Sequence, residues 1–250
     1  MCRFIPFVIY TKPLILFVFL LSAVSAEGVL AHASLDELIE YSSNLIRRQP
    51  DNPQALLNRA RIELKQGDHA GALSDIEAAE RLSDRIEVSY LRGLYFVARE
   101  QPQQAIDAFG DYLARYPGHT PSIHGRAKVY EKLGQTEKAI YDYQYLLGVS
   151  SKPSPDYYLE LARLESTLVP CGLQLALRSL DRGIARLGPL VSLQAAAIDF
   201  EIERGDYRQA LARHETLRPW LGTTSQWQDR HRQLAEKLSS TTSGSIDTVE

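Results

Sequence analysis

The sequence predicts an all-α array of short antiparallel helix pairs. Three observations carry this: a small residue returning at a near-constant interval, larger residues at helical spacing after each one, and chain breakers between the periodic stretches. The small residues are Ala72, Ala105, Ala139, Ala176 and Ala210, separated by 33, 34, 37 and 34 positions. Four residues after each come Ile76, Phe109, Tyr143, Leu180 and His214, and seven after come Ala79, Tyr112, Leu146, Gly183 and Leu217. Positions i, i+4 and i+7 lie on one helix face. A small side chain therefore falls where two helix backbones would approach, with larger ones beside it. Self-similarity at this interval marks a stacked array in which neighbouring units complete each other's core.

The elements follow in chain order. Leu35 to Arg48, ahead of Pro50, reads as an amphipathic opening helix with Ser34 as its N-cap. Each alanine-marked helix is preceded by another, whose own small residue is Ala60, Gly93, Ala127 or Ala162. Turns within units fall at Gln66-Gly67-Asp68, Glu100-Gln101-Pro102, Gly134-Gln135-Thr136 and Arg204-Gly205-Asp206. Gly and Asp suit helix exits and entries, and Pro suits a first helical turn. Breakers between units stand at Pro50-Asp51-Asn52-Pro53, Tyr116-Pro117-Gly118, Pro153-Ser154-Pro155 and Gly188-Pro189. The fourth unit carries about two extra residues around Val169-Pro170-Cys171-Gly172, an estimate from the roughly 34-residue period of such arrays. In the fifth, the first helix matches poorly. Gln226 to Leu238 reads as a closing helix with a solvated outer side, which a terminal repeat needs. Residues 34–238 thus form the repeat domain. Ser239 to Glu250 is Ser/Thr-rich and reads as a disordered tail.

Residues 1–26 have another character. Arg3 and Lys12 are the only charges before Glu27, and Leu14 to Leu21 is continuously apolar, with Ser22-Ala23-Val24-Ser25-Ala26 after it. This pattern predicts a secretory signal peptide cut after Ala26, with Ala31-His32-Ala33 as a secondary site. The expectation is an exported protein, periplasmic or secreted. The alternative is a single-span membrane anchor: Phe4 to Val24 is about long enough to span, although Lys12-Pro13 interrupts it. Cleavage would take the net charge from −3 to −5 and leave Cys171 as the lone thiol, without an internal disulfide.

Composition narrows the function classes. A net charge of −3 argues against nucleic acid as partner. Glycine-rich phosphate loops and clustered metal ligands are absent, so no cofactor and no metal are expected. His119 and His124 stand apart from Cys or paired carboxylates and read as solvated or packing residues. Cys171 lies near a helix start, but no base is placed beside it, and it reads as a partly buried small hydrophobe. The repeats leave no room for a separate catalytic domain, so the chain reads as non-enzymatic. An enzyme using the array surface as its site is the remaining alternative of that class.

The array resembles tetratricopeptide repeats. The matching residues are Ala60, Gly67, Asp68, Ala72, Ile76 and Ala79 in the first unit. The second supplies Gly93, Phe96, Ala105, Phe109 and Pro117, and the third Ala127, Tyr130, Gly134, Ala139 and Tyr143. The resemblance implies a right-handed superhelical solenoid whose first helices line a concave face used for protein binding. Carrying over its inward positions gives Leu57, Arg61, Leu64 and Lys65, then Tyr90, Leu94 and Val97. The third unit adds His124, Lys128, Glu131 and Lys132, and the fourth Leu159 and Arg163. They read in one of two ways: as an apolar strip flanked by basic residues, suited to a protein or peptide segment with apolar anchors and acidic flanks, or as array packing by Leu57, Leu94 and Val97 beside a solvated basic face with i,i+4 pairs. Some family members clamp a terminal carboxylate with Lys and Asn. Those places here hold Leu57, Arg61, Leu91, Pro121 and Gly125, so that specificity is not implied. The expected function is an exported protein–protein interaction scaffold, with a membrane-anchored assembly factor as alternative.

Overall fold

The computed structural model describes residues 34–244, with the side chains of 85–87 and 241–244 left aside. The signal or anchor segment, its cut sites and the last six residues lie outside the described residues. Thirteen helices and no strand occur among those described. They are α1 (Leu35–Arg48), α2 (Pro53–Gln66), α3 (His69–Leu82), α4 (Arg85–Ala98), α5 (Pro102–Arg115), α6 (Thr120–Lys132) and α7 (Thr136–Val149). After them come α8 (Pro155–Ser166), α9 (Gly172–Leu187), α10 (Val191–Glu203), α11 (Tyr207–Glu215), α12 (Arg218–Leu221) and α13 (Ser225–Gly244). Five units result: α2–α3, α4–α5, α6–α7, α8–α9 and α10–α11.

Local chemistry fixes the ends. Ser34 and Glu37 cap α1 reciprocally, each side chain taking the other's backbone N–H, at 3.2 and 2.7 Å. Asn52 and Ser154 cap α2 and α8, each followed by Pro at the first helical position. Gly67, Gly134 and Gly205 close the first helices of units 1, 3 and 5 in the left-handed region. In unit 2 the same place holds Glu100, at φ 55°, a conformation that a Cβ disfavours.

The recurring small residues sit where the period puts them. Ala60, Ala72, Ala105, Ala127, Ala139, Ala162, Ala176 and Ala210 are fully buried, with Ile76, Phe109, Tyr143 and Leu180 packed alongside. The Phe109 ring shows the close fit. It lies between α4 and α6, and a Cβ at Gly125 would come within 2.7 Å of its Cζ, while one at Gly93 would collide with it. Only glycine admits the ring from both sides.

Within each unit the two helices pack along their length, and each second helix packs on the next first helix. First helices also touch across units: α2 with α4, α4 with α6, and α8 with α10. No comparable contact joins α3 to α5 or α5 to α7. Closer approach on one side bends the stack toward it, so the first helices form the inner, concave layer.

Three details depart from the sequence reading. The closing helix runs to Gly244 and so takes in 239–244, which reads as tail by composition. A short extra helix, α12, precedes it. Cys171, the N-cap residue of α9, is exposed. No described helix is long and apolar enough to cross a membrane.

Candidate functional site

The inner face divides into two chemically different halves. Units 1 and 2 contribute Arg61, Leu64, Lys65, Tyr90, Leu94 and Val97. Arg61 and Lys65 are exposed, and neither has a carboxylate partner among the described residues. The Arg61 guanidinium lies 6.0 Å from the Tyr90 ring centre, within reach of a cation–π attraction. Leu64 and Leu94 are half-buried, while Val97 is 43% exposed. Leu57 is different: at 6% exposure it belongs to the core around Ala60 and Ile76 and presents almost nothing to a partner.

Tyr90 is held by an aromatic group at the α4–α6 edge. Its ring meets His119 at 4.9 Å and Tyr112 at 5.9 Å, and His119 meets Tyr112 at 4.8 Å. His119 is also the N-cap of α6, its Nδ1 accepting the Ser122 backbone N–H. Burial, and then the charge of Arg61, push its pKa down, which keeps Nδ1 free to accept. Val97 further lines a cavity of about 320 Å³ with Val129 and Leu133, rimmed by the Lys132–Glu100 pair at 3.4 Å.

Units 3 and 4 neutralise themselves. Lys128 reaches Glu160 at 2.9 Å and Glu131 at 3.4 Å, and Arg163 pairs with the same two carboxylates. Burial alone would raise the Glu160 pKa, but hydrogen bonds from Lys128 and Arg163 bring it below the usual value. Lys128 and Arg163 therefore face outward as members of a four-charge lattice rather than as free cations. His124 and Leu159 are half-buried beside it, with His124 5.1 Å from the Tyr157 ring. Burial and Lys128 lower the His124 pKa.

The sequence reading missed a set of pairs under this face. Arg59 binds Asp75 through two hydrogen bonds of 2.7 Å, and Arg126 binds Asp142 at 2.8 and 2.7 Å. Both spacings are 16 residues, half a repeat. In unit 2 the corresponding place holds Ala108, and Arg92 turns back to Glu80 instead. Unit 5 exchanges the charges: Arg213 on the second helix binds Glu201 on the first at 2.8 Å. The Lys128–Glu160, Arg163–Glu131 and Lys132–Glu100 pairs are each 32 residues apart. Opposite charges at half and whole repeat intervals are the signal that would have found these contacts.

Residues 31–85 and residues 87–119 each match a tetratricopeptide-repeat model. Residues 31–119 carry tetratricopeptide repeats. Solved structures agree in fold. The crystal structure of PilW, a type IV pilus biogenesis factor, superposes with a TM-score of 0.62 at 18% identity, over 81% of this chain and 93% of that one. A thermophilic repeat protein of Thermus thermophilus gives 0.54 at 20% identity, over 70% and 95%. One from Parabacteroides merdae gives 0.53 at 20%, over 76% and 75%. No curated protein matches this chain in sequence. Proteins of this family are typically non-enzymatic scaffolds that bind other proteins.

Proposed function

We propose that this protein is an exported, non-catalytic scaffold that holds an extended segment of a partner protein along units 1 and 2 of its inner face. One observation carries the reading: Arg61 and Lys65 have no acidic partner among the described residues and stand beside Leu64, Leu94 and Val97. Apolar side chains of the partner would supply affinity, and its carboxylates would set orientation. Export rests on the Arg3, Lys12 and Leu14–Leu21 pattern.

Affinity capture from the native compartment tests this, with partners identified by mass spectrometry. Wild-type protein and a Lys128→Gln variant should retain the same partner, while Arg61→Glu with Lys65→Glu should lose it. Equal recovery by all three overturns the reading. A second reading keeps residues 4–24 as an anchor, so that the scaffold works as a membrane-tethered assembly factor; the apolar run favours it. PilW, of like fold, is a pilus biogenesis factor. Cell fractionation with N-terminal sequencing of the mature chain separates the two. Turnover of a substrate by the purified protein alone would favour the enzyme alternative over both.

A further inference from the structure

The C-terminal cap is fastened by a stack of rings unlike any other contact between described helices. His214, on α11, is 3% exposed. Its ring lies nearly parallel to Trp227 of α13, with centres 4.9 Å apart and planes 12° apart. His231 stacks on Trp227 from further along α13, also at 4.9 Å and 14°, and lies 5.9 Å from His214. Two polar contacts lock the pair: His214 Nε2 donates to the Trp227 carbonyl at 3.1 Å, and Trp227 Nε1 donates to the His214 carbonyl at 3.3 Å. Neutral His214 therefore carries its proton on Nε2, and a second proton would go to Nδ1.

The charges around the stack are uneven. On α13 are His231 and Arg230, the latter paired with Asp199 of α10. On α12, Arg218 lies 5.2 Å from the Trp227 ring centre and binds Glu215 at 2.7 Å. On α11, Glu215 also stands 3.2 Å from His231, and Arg213 is bound to Glu201 of α10 and Asp181 of α9. Among the described residues, Glu215 is the carboxylate that acts on His214, and it also binds Arg218 and stands beside His231. Burial, followed by Arg230 and His231, lowers the His214 pKa against the opposing pull of the Trp227 carbonyl and Glu215.

We infer that this stack is an acid-operated latch: protonation of His214 releases α13 from α11 and uncovers the apolar end of unit 5. Beside the stack, the cap is held by a small cluster in which Trp227 and Leu234 meet Ile198, Ala210 and Leu217, and by the Arg230–Asp199 and His231–Glu215 pairs. Terminal repeats depend on a single neighbour, so α13 can open without the others. The sign follows from the direction of the shift. The released cap leaves His214 near its ordinary value of about 6.5, whereas the docked cap holds it lower. Docking is thus at full strength above about pH 6.5 and weakens as pH falls through that value toward the docked pKa.

Hydrogen exchange of α13 amides, corrected for intrinsic rates and followed from pH 8 to 5, tests the latch. Wild-type protein should lose protection in α13 below about pH 6.5, by no more than about tenfold per pH unit, as one proton requires, while α2–α9 hold theirs. His214→Phe, which keeps a stacked ring, should leave α13 protection independent of pH. Should that variant not fold, the NMR titration of His214 in the wild type still decides, with a midpoint below 6.5 expected. Release of α13 at the same pH in the Phe variant, or a His214 midpoint at or above 6.5, overturns the proposal.

Discussion

The two halves of the inner face carry similar cations and use them differently. Arg61 and Lys65 of unit 1 are exposed and form no ion pair among the described residues. Lys128 and Arg163, at comparable places in units 3 and 4, are each matched to Glu131 and Glu160. A row of positive residues along a repeat array is therefore not one surface. Whether a cation is available to a partner depends on residues one repeat away, across the layer of first helices.

The halves also respond differently to substitution. Beneath the open half lies apolar packing around Phe109 and the buried Ala105. Ala105→Leu should push those helices apart and destabilise the protein by about 1–3 kcal/mol through overpacking, read as a fall in denaturation midpoint. An unchanged midpoint would remove Ala105 from the close contact assigned to it.

Glu63 gives a smaller effect, tied to pH. Burial first, then Asp75, raise its carboxyl to about 7, against the pull of Arg59. Its contribution is present in full below the unfolded value of about 4.5 and is lost as pH rises through about 7. Glu63→Gln should stabilise unit 1 at pH 8 by about 1–2 kcal/mol and flatten the stability profile between those limits. Glu160 works in the opposite sense, since its folded pKa is lowered. Its share is present above the unfolded value of about 4.5 and is lost as pH falls below it. A Glu63→Gln variant that follows the wild-type profile would contradict this contrast.

Removing one corner of the lattice should matter less. Glu160→Gln is expected to cost under about 1 kcal/mol, and less in high salt, because the group is partly exposed and screened. A loss several times larger would mean that the lattice is structural. The smallest change is a gain: Glu100→Gly should relieve the left-handed backbone in unit 2 and stabilise it by about 0.5 kcal/mol, net of glycine's greater unfolded-state freedom. Thermal unfolding of the pair of proteins resolves it.

The array itself was legible because small residues at helix crossings cannot vary freely. Ala72, Ala105, Ala139, Ala176 and Ala210 are all fully buried, and the period they set located both helices of units 1–4. The first helix of unit 5 was obscured because Ile198 stands where a small residue stands elsewhere, seven before the turn glycine at 205, and it is buried all the same. At the groove, position on the helix was readable but exposure and pairing were not. Leu57 shares the spacing of an inward residue, yet it packs into the core cluster that also holds Ile76, Val88 and Leu91. For Lys128 and Arg163, helical periodicity reports only the partners three residues away, Glu131 and Glu160 respectively; the pairs that join the two units, Lys128–Glu160 and Arg163–Glu131, are 32 residues apart and invisible to it. Cys171 read as a partly buried small hydrophobe because no base stands beside it in sequence, an argument about reactivity that does not bear on exposure, and it is exposed.

Selection from a random peptide library displayed on phage tests the difference between the halves most directly, since it requires no known partner. The predicted result is enrichment of peptides with aliphatic or aromatic residues flanked by Asp or Glu, whose binding falls at least tenfold with Arg61→Glu and Lys65→Glu but stays within twofold with Lys128→Gln. Enriched peptides that are basic, or that bind the Arg61→Glu, Lys65→Glu protein as well as the wild type, would contradict the account.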